Sequence, residues 1–225
     1  MRNFSMDKIL KAVIFDMDGV IVDSESYWLD IFEGFLLEYG KRLSDTDKKE
    51  FYGCSLEMEN EILSRYLDMS YEEISRLKKD YSSMNPIYYK KHLMPGVKNL
   101  ISYLKSKDMK LVIASSSELQ NINRMVNECG FNGVFDYIVS GEMVEESKPN
   151  PQIYNYSVEL LGIPRENIFV IEDSQYGVKA ATEANLDVLA LRNPYYNFDL
   201  NEAMLKFNSH DEILKFMKKI IFKEE

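Results

Sequence analysis

Val13-Ile14-Phe15-Asp16-Met17-Asp18-Gly19-Val20 is the stretch on which the reading of this chain turns. The apolar run from Ala12 to Phe15 has no polar face, as expected of a strand buried on both sides in a parallel sheet. Two acids follow, one residue apart, and then Gly19, which permits a sharp turn. Ligands of open parallel sheets bind beyond the carboxyl ends of the strands, so both carboxylates emerge where a ligand would sit. Strand alternation would send Asp16 and Asp18 to opposite sides, but a turn at Gly19 lets both approach one point. Taken alone, the pair reads equally well as a polar loop or a helix cap.

Similar apolar runs recur at Leu111–Ala114, Tyr137–Val139, Ile168–Ile171 and Val188–Leu191. Each is expected to be a strand buried on both faces. Helical patterns over Gly96–Lys107, Leu119–Glu128, Pro151–Leu161 and Gly177–Ala184 separate them. Strand alternating with helix predicts an α/β fold with a Rossmann-like parallel sheet covered on both sides. From about Ser24 to His92 the rhythm breaks: helical patterns occur, and no convincing strand. Trp28, Phe32, Phe35, Leu36 and Tyr39 share one helical face. We read residues 23–92 as an inserted helical cap domain and residues 1–22 and 93–225 as the α/β core domain. The alternative is one long crossover whose helices pack on the core. Hinges are expected near Val20–Asp23 and Tyr89–Met94.

The other strand ends supply the company that Asp16 and Asp18 need. The second strand runs into Ser115-Ser116-Ser117, hydroxyls and amides suited to phosphate oxygens. The fourth runs into Glu172-Asp173-Ser174, a second acidic pair. Serines also cap helices, and an isolated Lys148 would be ordinary surface. Carboxylates converging at strand ends repel by a few kcal/mol per close pair, on the order of 4 at 4 Å in a partly screened site. Mg²⁺, which takes carboxylate, water and phosphate oxygens, together with Lys148 of Ser147-Lys148-Pro149, would relieve that repulsion.

These four segments, in this order, resemble the four motifs of the haloacid dehalogenase superfamily of phosphatases and phosphomutases, along essentially the whole chain from about Lys8. Asp16-Met17-Asp18-Gly19-Val20 with Asp23-Ser24 resembles the first motif, Ser115 the second, Lys148-Pro149 the third and Glu172-Asp173-Ser174 the fourth. The insert is similar to the helical cap of the subgroup containing β-phosphoglucomutase and small sugar-phosphate phosphatases. The resemblance implies strand order 5-4-1-2-3. It implies Asp16 as nucleophile and Asp18 as general acid and base, with Ser115 and neighbouring groups such as Ser116 on the phosphoryl oxygens and Lys148 between phosphate and Asp16. It implies Mg²⁺ on Asp16, the carbonyl of Asp18 and Asp173, with Glu172 beside or within the ligand set. The second aspartate argues against carbon–halogen chemistry, since the dehalogenase branch lacks it.

Two positions depart from the mutase pattern. Trp28 stands where β-phosphoglucomutases carry a histidine, and Leu56 where they carry an arginine three residues after a glycine matching Gly53. Loss of both polar groups favours a phosphatase for a small phosphorylated metabolite over a phosphosugar mutase, and Trp28 and Leu56 become candidate substrate-binding residues. Packing inside the cap is the competing reading of Trp28. A binding protein that kept the fold without activity is disfavoured, because binding alone would not require both aspartates.

Bulk composition agrees with this reading. Hydrophobic residues are 45% and charged residues 28% of the 225, ordinary for a globular protein. The net charge of −10 argues against nucleic acid as a partner. No run approaches a bilayer span and no signal peptide is recognisable, so a cytoplasmic monomer without a membrane partner is expected. Cys54 and Cys129 show no metal-ligand spacing and are expected as reduced thiols rather than a disulfide. His92 and His210 fall in no motif and are read as structural or exposed.

Overall fold

The computed structural model describes residues 9–51, 56–193 and 198–221, the side chains of 56 and 57 excepted. Gly53 and Cys54 therefore lie outside the described residues. The chain divides into two compact units, one formed by Met1–Val22 and Tyr89–Glu225 and the other by Asp23–Tyr88.

The first unit is built on a parallel sheet. Its strands are β1 (Ala12–Phe15), β2 (Lys110–Ser115), β3 (Tyr137–Ser140), β4 (Ile168–Glu172), β5 (Asp187–Leu191) and β6 (Leu205–Phe207), in spatial order β3-β2-β1-β4-β5-β6. The expected order 5-4-1-2-3 is present, extended by β6, a short half-exposed strand whose Leu205-Lys206-Phe207 carries little apolar signal. The run at β1 is buried throughout, as expected for a central strand. At β3 the expectation fails in part: Tyr137 is 40% exposed, because β3 is an edge strand with only one neighbour.

Helices α5 (Val97–Ser106), α6 (Leu119–Glu128), α7 (Gln152–Leu161), α8 (Gln175–Glu183) and α9 (His210–Ile221) belong to this unit. Ala12 and Ile14 pack in one cluster with Ile153 and Tyr154 of α7 and Val178 and Ala181 of α8. Val13 and Phe15, equally buried, belong to the opposite face by strand alternation. Strand register sets the ends of three strands level. Phe15 pairs with Ile113 of β2 and with Ile171 of β4, so Asp16, Ala114 and Glu172 all stand one residue beyond the same row. The two chain segments that bound the second unit run side by side here: Val22 bridges Leu93, and the Met94 amide donates to the Ile21 carbonyl at 2.9 Å.

The second unit contains α1 (Ser24–Glu38), α2 (Asp45–Phe51), α3 (Leu56–Ser64) and α4 (Tyr71–Met84). Asp23 caps α1, its carboxylate accepting from the Ser26 amide at 3.1 Å. Phe32, Phe35, Leu36, Phe51, Ile62, Leu63 and Ile74 form its core. Trp28 and Tyr39 were expected on the same face, but they are 42% and 36% exposed. The apolar arc of α1 is wider than the surface its neighbours cover. Trp28 lies at the margin, its ring 6.2 Å from that of Phe32 and 5.0 Å from Tyr27, so packing inside the unit accounts for only part of it. Leu56 is the first residue of α3. The boundary after the insert falls at Tyr88/Tyr89 because the Tyr89 amide donates to Glu128 of α6. Among the described residues no helix is long and apolar enough to cross a membrane. Cys129 is a buried free thiol whose pKa burial pushes up.

Candidate active site

Register brings the site together. Lys148 Nζ donates to Asp16 Oδ1 at 2.7 Å, to Glu172 Oε1 at 2.7 Å and to the Ala114 carbonyl at 3.1 Å. Its partners are the three residues that the pairing of β2, β1 and β4 sets level. All three ammonium donors are used, and the lysine side chain is 8% exposed.

Asp16, Glu172 and Asp173 each offer one oxygen within 4.8 Å of the others, and all three are buried. Two glycines make this crowding sterically feasible. Gly19 has φ +76°, and a Cβ there would sit 2.0 Å from Asp173 Oδ2. At Gly177 in α8 a Cβ would sit 1.8 Å from Glu172 Oε1. Both carboxylates occupy space that any larger residue would fill.

The electrostatics are one-sided, with three buried carboxylates facing one buried ammonium. Burial raises the pKa of Asp16 to about 7, against the pull of Lys148, and Glu172 and Asp18 push it further in the same direction. Burial and the charges of Glu172 and Asp16 hold Asp173 well above the usual carboxylate range. Glu172 goes the other way. Burial opposes its ionisation, but Lys148 and the hydrogen bonds around it keep its pKa below the ordinary value. Burial likewise opposes the charge on Lys148, yet Asp16 and Glu172 hold its pKa well above normal. The ionised cluster thus lacks positive charge, and its oxygen-only donor set suits a hard divalent cation. The residues fit Mg²⁺: Asp16 and Asp173 carry carboxylates that burial alone would keep protonated near neutral pH, and a cation reverses that preference.

Ser115 is buried at the end of β2, and its Oγ accepts from the Ser117 amide at 3.1 Å, while Ser116 is exposed. Ser117 Oγ donates to Asp18 Oδ2 at 2.7 Å, and the Ser117 carbonyl accepts from the buried Ser140 hydroxyl of β3 at 2.8 Å. Asp16, Asp18, Ser115, Lys148, Glu172 and Asp173 therefore cluster at one end of the sheet, with Ser116 beside Ser115 on the same loop. Trp28 and Leu56 belong to the helical unit. Sequence reasoning missed Ser140, which holds the Ser117 carbonyl, the direct bond from Ser117 to Asp18, and Tyr154, whose buried hydroxyl donates to Glu172 Oε1 at 2.8 Å. It also missed a cavity of about 310 Å³ that borders Asp173 and is lined by Arg192, Asn193, Asp199 and Lys206 among others. Arg192 follows the end of β5, where an ordinary surface arginine is the default reading.

Comparison with known proteins agrees with this arrangement. The family model of haloacid dehalogenase-like hydrolases matches residues 13–191, and the chain belongs to that family. A phosphorylated carbohydrates phosphatase of Thermotoga maritima is 27% identical over 219 residues, covering 94% of this chain and 100% of that protein. The β-phosphoglucomutase of Bacillus subtilis is 27% identical over 189 residues, covering 79% of this chain and 81% of its own. A crystal structure of a protein from Thermotoga maritima, provisionally named β-phosphoglucomutase, superposes with a TM-score of 0.79 at 26% identity, over 93% of this chain and 99% of that one.

Proposed function

We propose that this enzyme hydrolyses a small phosphomonoester, a phosphorylated carbohydrate or related metabolite, through an aspartyl-phosphate on Asp16. The observation that carries this reading is the 2.7 Å contact of Lys148 with Asp16 inside a cluster of three buried carboxylates. Lysine buried against a strand-end aspartate is suited to hold a dianionic phosphoryl group close to the attacking oxygen. The Thermotoga maritima phosphatase, matched over its whole length, supports the substrate class.

Asp16 attacks phosphorus, and the bond from phosphorus to the ester oxygen breaks. Asp18 gives its proton to the departing alcohol. It then takes a proton from water, whose oxygen attacks the same phosphorus and releases phosphate and Asp16. Each residue ends in its starting state. Ser115 and the neighbouring amides and hydroxyl of Ser116 orient the phosphoryl oxygens. Asp16, the Asp18 carbonyl, Asp173 and Glu172 are the groups that would hold Mg²⁺, which when bound neutralises charge on the phosphoryl group. The helical unit acts as a cap, contributing to substrate choice through exposed side chains such as Trp28.

A second reading, a phosphosugar mutase, is kept in view by the β-phosphoglucomutase among the relatives. One assay separates the two. Phosphorylated sugars, polyol phosphates and nucleotides are incubated with enzyme and Mg²⁺, and free phosphate is read. Release of phosphate from a sugar monoester without any bisphosphate activator is expected. Conversion of β-glucose 1-phosphate to glucose 6-phosphate, dependent on glucose 1,6-bisphosphate and without net phosphate release, would establish the mutase instead.

A further inference from the structure

Tyr154 is among the largest fully buried side chains of the chain, and phenylalanine would fill the same space in α7 with no polar atom to satisfy. Its hydroxyl therefore calls for an explanation in what it touches. It donates to Glu172 Oε1 at 2.8 Å, the same oxygen that accepts from Lys148 Nζ at 2.7 Å. The Tyr154 ring also stands under the ammonium, its centroid 5.1 Å from Nζ. Burial first, and then the negative charge of Glu172, push the phenol's pKa well above its usual value, so it is a permanent donor.

Glu172 is bound on its other oxygen as well. Oε2 accepts from the Asp173 amide at 3.0 Å, the Ser174 amide at 3.1 Å and the Ser174 hydroxyl at 3.1 Å. Those three donors fix one end of the carboxylate, and Tyr154 and Lys148 share the other. Lysine is a point charge on a flexible four-carbon stem, so the place of its ammonium is set by the acceptors and side chains around it. Tyr154 contributes twice, by holding the Glu172 oxygen that Lys148 binds and by placing its ring beside the charged end. We propose that Tyr154 is a positioning residue for phosphoryl transfer, holding Lys148 on Asp16 through Glu172 and through its ring face. The inference rests on the reading of Asp16 and Lys148 given above. It adds a residue that touches neither the phosphoryl group nor the reacting atoms.

The test compares Tyr154→Phe with Ser157→Ala. Ser157 is fully buried on the same helix, and among the described residues its hydroxyl bonds only the Ile153 carbonyl, at 2.8 Å. It thus reports what loss of a buried hydroxyl from α7 does to structure alone. Turnover of p-nitrophenyl phosphate with Mg²⁺ is measured first. Tyr154→Phe is expected to lower kcat by about 10- to 100-fold, the range for residues that orient a reacting group, with KM moved less than about threefold. Ser157→Ala is expected to keep kcat within about twofold. Calorimetric binding of orthovanadate and of inorganic phosphate in the presence of Mg²⁺ is measured on the same proteins, whatever the turnover. Vanadate reports the five-coordinate geometry of transfer and phosphate the ground state. Tyr154→Phe is expected to weaken vanadate at least about tenfold and phosphate less than about threefold.

A wild-type enzyme without phosphatase turnover overturns the proposed function, and the vanadate-to-phosphate contrast then decides the present inference on its own. Equal effects of the two substitutions, or a Tyr154→Phe variant with vanadate affinity and any measured kcat within twofold of wild type, overturn the role of Tyr154.

Discussion

The two units of this chain bury side chains for different purposes. The helical unit buries Phe32, Phe35, Leu36, Ile62 and Ile74 against one another, and its buried Lys78 pairs with Glu59 at 2.7 Å. The sheet unit has a larger apolar core, but at the ends of its strands it also buries Asp16, Glu172 and Asp173, which repel one another. Apolar burial contributes stability in proportion to area, whereas clustered carboxylates oppose folding unless a cation compensates. A substitution in the helical unit should therefore read out as stability. One at the strand ends should read out as activity, with stability that depends on pH and metal.

The largest effect should come from Asp16→Asn. The amide cannot form an acyl-phosphate, so turnover should fall by at least about 10⁴-fold, the scale seen when a catalytic nucleophile is removed. Circular dichroism and the elution volume should match wild type. Residual activity above about 1% in a clean preparation would take Asp16 out of the nucleophile's place and blur the contrast between the units.

Phe35→Ala tests the other side. Phe35 is 1% exposed, and truncating a buried phenylalanine costs about 3–5 kcal/mol. Urea denaturation should show a transition destabilised by that amount. A loss under about 1 kcal/mol would mean that the helical unit has no tight core of its own.

A third comparison uses pH. The folded-state pKa of Asp16 is raised from 3.8 to about 7, so the native protein holds a proton that the unfolded chain releases. Its contribution is most favourable below pH 3.8 and is lost as pH rises through about 7. Mg²⁺ competes with that proton, so the metal should raise Tm more at about pH 7.5 than at about pH 5. His210 works in the opposite direction inside the sheet unit. It is buried at the start of α9, its Nε2 has no hydrogen-bond partner among the described residues, and burial lowers its pKa from 6.5 to about 4 against the pull of the Pro95 and Val20 backbone. Stability from this residue is complete above pH 6.5 and is lost as pH falls toward about 4, on the order of 3 kcal/mol. Without metal, His210→Phe should flatten the acid limb of the stability profile and leave the limb due to Asp16 in place. A Mg²⁺ increment in Tm that is independent of pH would count against the carboxylates as its site.

The contrast between the units also marks where sequence is legible. Five strands could be read because a strand buried on both faces has an unbroken apolar run, and acids at its end interrupt that run visibly. β6 could not, since Leu205-Lys206-Phe207 is short, half-exposed and broken by a lysine. Asp16, Lys148, Glu172 and Asp173 stood out as polar residues where apolar pattern stops. Tyr154 did not, because an aromatic on the buried face of a helix looks the same whether or not its hydroxyl meets a carboxylate 18 residues away. Ser140 was hidden in the same way, as one small residue at a strand end.

Trp28 is where the two readings of the helical unit meet, and changing it should have the smallest effect on stability. Its helical spacing groups it with Phe32 and Phe35, yet the folded chain leaves it 42% exposed. Half-exposed tryptophan contributes less to a core than its size suggests, because the exposed face gains nothing from leaving water. Trp28→Ala should therefore cost less than the roughly 3–5 kcal/mol of a buried aromatic truncation, about 2 kcal/mol by area. If the ring serves substrate choice, the same variant should change the ratio of kcat/KM between two sugar phosphates by about tenfold, within the few kcal/mol one pocket side chain supplies. Hydrolysis of p-nitrophenyl phosphate should stay within about threefold of wild type, because a small ester asks little of a residue that serves substrate choice. Measuring both on one preparation separates the readings. Loss of stability on the scale of Phe35→Ala, with selectivity unchanged, would return Trp28 to the core of the helical unit. Changed selectivity with a clearly smaller loss of stability than Phe35→Ala would make it a functional residue of that unit.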